Sequence, residues 1–142
     1  MAKVKFGVVG VGNIGTHHIK TIPTMNNAEL TAVCDINPAA FERIPEAIRK
    51  NIKCYTDSAD FFANADIEAV IIAVPHYDHP DLAIQAMEAG KHVIVEKPIA
   101  VHKADVSYYN VWLRNFRFGL GVNYELYDYE ELGRGEPEII ET

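Results

Sequence analysis

Val4-Lys5-Phe6-Gly7-Val8-Val9-Gly10-Val11-Gly12-Asn13-Ile14-Gly15 passes from an apolar run through a glycine-rich turn into the start of a helical pattern. Each glycine has a separate use there. Gly10 permits the tight turn, Gly12 presents no side chain to an approaching diphosphate, and Gly15 lets the helix pack closely on the strand. The unpaired N–H groups and partial positive charge at the helix start then favour a phosphate without any lysine. A glycine hexamer alone is weak evidence, because glycines also serve ordinary turns. Asp35 supplies the second element. It follows the run Leu30-Thr31-Ala32-Val33-Cys34 about twenty residues past Gly15, where a carboxylate can bond both ribose hydroxyls of an adenosine. Its charge repels a 2′-phosphate, so the expected cofactor is NAD rather than NADP, with Arg43 as the residue able to offset that repulsion. The plainer reading of Asp35 is a turn cap acting with Asn37 and Pro38.

Outward from this unit, apolar runs of strand length alternate with helical periodicity, the order of βαβ units around a parallel sheet. Strands are expected at residues 4–9, 30–34, 53–55, 69–74 and 92–95, and helices at 13–22, 38–50, 57–63 and 79–89. Val70-Ile71-Ile72-Ala73-Val74 is apolar throughout instead of alternating, as befits a strand covered on both faces near the sheet centre. Asn37 with Pro38 reads as a helix start, and Gly90 as a left-handed helix end. The fold class is therefore α/β, a doubly wound parallel sheet in three layers, of the Rossmann dinucleotide-binding type.

Composition limits the partners. With 49% hydrophobic and 23% charged residues, the 142-residue chain is ordinary for one globular domain. The net charge is −7, but residues 123–142 hold seven carboxylates against Arg134 alone, leaving the body nearly neutral. No basic face is available for nucleic acid. No apolar run is long enough to span a membrane, and Met1-Ala2-Lys3-Val4 leads into a strand rather than a signal peptide, so a cytoplasmic location is expected. Cys34 and Cys54 each close a strand-like run and read as buried thiols, not a disulfide or metal knuckle. His17, His18 and His102 lack the carboxylate or cysteine spacing of a zinc site and read as structural; no metal is expected.

A polar, aromatic loop, Pro75-His76-Tyr77-Asp78-His79-Pro80, follows the buried strand at the edge where open α/β sheets bind ligands. Gly90-Lys91-His92-Val93-Ile94-Val95 ends at the same edge with Glu96-Lys97-Pro98. Taken with Gly10 to Gly15, Asp35, Ala73-Val74-Pro75 and His79, these motifs resemble the glucose-fructose oxidoreductase, inositol dehydrogenase and rhizopine-catabolism (Gfo/Idh/MocA) family over residues 3–100. The Glu-Lys-Pro triplet is the most specific of them. The resemblance implies that Lys97 lies by nicotinamide and substrate, positioning or helping to deprotonate a sugar hydroxyl, and that the Lys97–Pro98 peptide is cis. A lysine there supplies charge stabilisation and proton transfer; the plainer reading is an exposed lysine closing a strand. The implied cofactor-binding set is Gly10, Gly12, Asn13, Ile14, Gly15, Asp35, Ile36, Ala73, Val74, Pro75, His76, His79, Glu96, Lys97 and Pro98. His76 and His79 have capping or packing as their alternative.

Family members continue into one more helix and strand, here read at residues 103–114 and 116–122, and then into a second domain that supplies much of the sugar pocket and an acid-base histidine. The expectation is a dinucleotide-binding domain over residues 1–124 and an acidic, loosely ordered tail over 125–142, without the substrate domain. Tyr108, Tyr109, Trp112, Phe116 and Phe118 read as core. Such a chain binds the dinucleotide and, completed by a second domain or subunit, transfers a hydride to or from a sugar, polyol or related carbonyl compound. Two other readings compete. One is a non-enzymatic nicotinamide sensor or docking module, which self-associates or binds a protein through the uncovered side. The other is an S-adenosylmethionine site, which the Glu-Lys-Pro triplet opposes.

Overall fold

β-Branched and other apolar residues supply five parallel strands among the described residues: β1 (Val4–Val9), β2 (Ala28–Cys34), β3 (Lys53–Tyr55), β4 (Ala69–Ile72) and β5 (His92–Val95). The structure, a computed structural model, describes residues 2–99, all within the compact unit Met1–Val101. Their order in the sheet is β3-β2-β1-β4-β5. The connections carry α1 (Asn13–Thr21), α2 (Glu46–Arg49), α3 (Ser58–Asn64) and α4 (His79–Glu88). The doubly wound parallel fold read from the sequence is thus observed. The helix, strand and acidic tail expected beyond residue 100 lie outside the described residues.

Alternation along the strands divides the core between two faces. Val8, Leu30, Val33 and Ile71 pack with Ile19 of α1, with Ile22 just beyond it, and with Ala40 and Ile44. Val9, Cys34, Val70 and Ile72 pack on the other side with Phe61 and Phe62 of α3 and Ala86 of α4. All four residues of β4 are buried, as its unbroken apolar run requires.

Register determines what reaches the ligand edge. Val9 pairs with Cys34 on one side and Ile72 on the other, and Ile72 pairs with Val95. The strands therefore finish at one level, and Gly10, Asp35, Ala73 and Glu96 emerge side by side. Because the chain leaves β1 for β2 on one flank and later returns to β4 on the other, a crevice opens between the connections above β1, the place where doubly wound sheets bind ligands.

Three expectations need correction. The helix read over 38–50 is broken: a 3-10 segment, Pro38–Arg43, is followed by the short α2. Pro45 lies between them, has no N–H to donate, and disfavours helical geometry at Ile44, which is extended (φ −81°, ψ 125°). The strand read over 69–74 stops at Ile72, although Ala73 N–H still donates to the Val9 carbonyl at 2.8 Å. Only one of the two thiols is buried. Cys34 lies inside, whereas Cys54 is exposed on β3, a strand at the sheet margin with no neighbour beyond it among the described residues. No helix of the described residues is long and apolar enough to cross a membrane.

Candidate functional site

The first turn is built from backbone. Gly10 has φ +94°, a region that side chains rarely adopt, and a Cβ there would lie 2.5 Å from the Ala73 carbonyl oxygen. A Cβ on Gly15 would collide with the Gly10 carbonyl, so the helix can begin this close to the strand only without one. Gly12 differs: a Cβ added to it meets nothing within 4 Å among the described residues. Its lack of a side chain serves no internal packing, and the space above it is open. Thr16 N–H makes the first helical bond, to the Gly12 carbonyl at 2.9 Å, and no side chain of the described residues caps the amides ahead of it. The first turn also has no acidic residue. By contrast, Asp57 caps α3 through the Asp60 N–H at 2.8 Å.

Asp35 fixes the next rim. Val11 N–H donates to its Oδ2 at 2.7 Å, and Asn37 N–H donates to its Oδ1 at 2.8 Å. The turn-capping reading therefore holds, with a further bond to the glycine loop. Each carboxylate oxygen retains a second lone pair for an incoming hydroxyl. Asn37 in turn accepts from Ala39 N–H at 3.1 Å, as its reading as a cap requires. Beside Asp35, Ile36 is 90% exposed, and Ile14 is 53% exposed across the turn. Arg43 lines a groove of about 420 Å³ with Asn13, Thr16, His17 and Lys20 of α1. That groove shares only Asn13 with the candidate set.

The opposite rim comes from the exits of β4 and β5. Ala73 and Val74 are half-buried, Pro75 is exposed, and the His76 ring lies against Tyr77 with centroids 4.2 Å apart. His79 is placed otherwise than a ligand-facing residue. It is 1% exposed, with Nδ1 2.8 Å from the Pro98 carbonyl oxygen and Nε2 2.9 Å from that of Val74. Its ring thus ties the β4 exit to the Glu-Lys-Pro turn from below. Glu96 N–H donates to the Ile72 carbonyl at 3.1 Å, and the Lys97–Pro98 peptide is cis, as the resemblance implied. Lys97 is exposed and bonds to no described residue.

His18, read from the sequence as structural, has its Nε2 2.6 Å from Glu96 Oε1. A separation of 78 residues hid this contact. Helical phase is the signal that points to it. Position 18 lies one turn past Gly15 and next to buried Ile19, on the side of α1 that faces the sheet.

The geometry can be set beside known proteins. A family model described as "Oxidoreductase family, NAD-binding Rossmann fold" matches residues 4–109. Inositol 2-dehydrogenase of Salmonella paratyphi B is 37% identical over 103 residues, which are 72% of this chain and 31% of that protein. A glycosyl hydrolase family 109 protein of Shewanella baltica is 35% identical over 109 residues, covering 71% of this chain and 24% of that protein. The crystal structure of Lactobacillus casei scyllo-inositol dehydrogenase with NAD(H) and scyllo-inositol superposes with a TM-score of 0.74 at 30% identity, covering 80% of this chain and 33% of that one. The chain spans a third or less of the length of these relatives. It belongs to the Gfo/Idh/MocA oxidoreductase family, whose NAD-binding Rossmann fold it carries.

Proposed function

We propose that the crevice holds NAD(H) for hydride exchange with a hydroxyl or carbonyl carbon of a sugar or polyol. The single observation behind this is the open space over Gly12 beside uncapped helical amides, a cradle that a side chain would fill. The diphosphate would take the amides from Gly12 to Gly15, the adenosine ribose the remaining lone pairs of Asp35, and the adenine the apolar surface of Ile36. The Asp35 charge favours a free ribose over a 2′-phosphate, hence NAD over NADP. When bound, the nicotinamide accepts or returns the hydride.

The remaining work falls to residues of the chain. Lys97, exposed at the rim and not engaged elsewhere among the described residues, would bind the reacting oxygen. As the ammonium it stabilises negative charge there and donates a proton to the carbonyl oxygen on reduction; as the neutral amine it takes the hydroxyl proton on oxidation. Walls that orient the substrate and exclude water would come from structure outside residues 2–99, in a second domain or subunit. The relatives include both an inositol dehydrogenase and a glycosyl hydrolase family protein, so the shared cofactor domain does not by itself select the reaction. Two unpaired cysteines suit a reducing, cytoplasmic setting.

The test is calorimetric titration of the chain with NADH and NADPH. Binding of NADH, weaker binding of NADPH, and loss of both in Gly12→Val are expected. A folded wild-type chain without affinity for either dinucleotide would overturn the reading.

A further inference from the structure

We propose that His18 is a positioning residue for Lys97, acting through Glu96; this rests on the proposed NAD(H) function. A lysine side chain has four rotatable bonds, and Lys97 has no partner among the described residues, so the reach of its ammonium is set by the backbone of the turn that carries it. Among the described residues, three contacts hold that turn. Glu96 N–H is bonded to Ile72 at the end of β4, and the Pro98 carbonyl faces His79, itself bound to the β4 exit. Both of these tie the turn to β4. Of the three, the third contact, His18 Nε2 to Glu96 Oε1 at 2.6 Å, is the one that ties it to α1.

The distinction matters because α1 is the helix whose first amides form the diphosphate cradle. His18 stands one turn beyond Gly15 on that helix. The His18–Glu96 contact therefore sets the span between the diphosphate and the lysine, the interval that the nicotinamide riboside has to fill. The two side chains are 27% and 31% exposed, so the contact is shielded from the full solvent screening that makes surface pairs nearly worthless. A short bond of this kind, at partial burial, holds a rotamer and a distance. His79 grips the far side of the same turn, leaving Lys97 as the exposed residue between two anchored neighbours.

The test compares two ligands on the full 142-residue chain. ADP reaches the Gly10–Gly15 turn, Asp35 and Ile36, whereas NADH also reaches Lys97. His18→Leu is expected to weaken NADH about fivefold and ADP less than about twofold. His18→Gln, whose amide can still donate to Glu96, should restore NADH to within about twofold of wild type. Lys97→Met provides the reference for a selective nicotinamide-end loss, and His18→Ala replaces His18→Leu if circular dichroism shows the latter misfolded. Equal weakening of both ligands, or unchanged NADH affinity in His18→Leu, overturns the positioning role. A wild-type chain that binds neither ligand overturns the parent reading instead. If Lys97→Met shows the selective loss and His18→Leu does not, the cofactor reading stands and the His18 role alone falls.

Discussion

The two turns that flank the crevice are made of different materials. Gly10 to Gly15 is shaped by the absence of side chains: two of its glycines sit where a Cβ would strike a backbone carbonyl, and the third leaves its space open. Glu96-Lys97-Pro98 is shaped by their presence, with His18 and His79 reaching in from α1 and α4. A backbone-built site offers fixed dipoles and tolerates no bulk. A site held by side chains presents a charge whose position can be altered by a residue far away in sequence. The first suits a ligand part common to many reactions, and the second suits the part where reactions differ.

Substitutions within the first turn break this comparison most sharply. Gly15→Ala forces a Cβ into the Gly10 carbonyl, and we expect a loss of about 3 kcal/mol, typical of severe overpacking. The melting temperature should fall by roughly 10 °C or more. If Gly15→Ala melts with the wild type, the close helix approach is not what the glycine serves. Gly12 separates stability from binding. Gly12→Ala should melt within about 2 °C of wild type, since its extended backbone accepts any residue and a Cβ there meets nothing. Gly12→Val, with bulk projecting into the cradle, should weaken NADH at least about a hundredfold in the same titration.

Asp35→Asn has a smaller effect. An amide offers one oxygen where Val11 and Asn37 need two, and it removes the charge that opposes a 2′-phosphate. NADH affinity should fall about tenfold, and the preference for NADH over NADPH, measured by competition, should narrow. Cys34 gives the smallest effect. Its carbonyl accepts from Gly10 N–H at 2.8 Å, and burial, with Asp35 nearby, pushes its thiol up to about 12. The unfolded chain releases that proton at its ordinary value near 9, so the folded state holds more protons between the two values. Stability contributed by the neutral thiol is intact below pH 9 and declines as pH rises towards 12. The urea midpoint of wild type should therefore drop more between pH 8 and 10 than that of Cys34→Ala. Equal drops would show that the thiol is not the group responsible. At pH 8 an alkylating reagent should modify exposed Cys54 and spare Cys34.

The two turns also differ in how far the sequence disclosed them. The glycine turn was legible because each requirement, left-handed geometry, close approach or open space, is met by one residue type at one spacing. The strands were legible because β4 is apolar on both faces and β1 and β2 nearly so. The Glu-Lys-Pro turn was legible as a motif but not as a structure. The contacts of His18 with Glu96 and of His79 with Pro98 join residues distant in the chain, and no local pattern encodes such a pairing. Position 38–50 failed for another reason: its helical periodicity outweighed Pro45, whose local effect on Ile44 prevailed. Cys54 misled because β3 is a marginal strand, and alternation there points one apolar residue outward.

The bar to a Cβ on Gly10, which would strike the Ala73 carbonyl, bears on redesign. Because the floor of the crevice is main chain meeting main chain, no choice of amino acid can deepen or recontour it without displacing a strand. An engineer seeking another nucleotide works at the lip instead, with Asp35 and Ile36 at one end and the Glu96-to-Pro98 turn at the other.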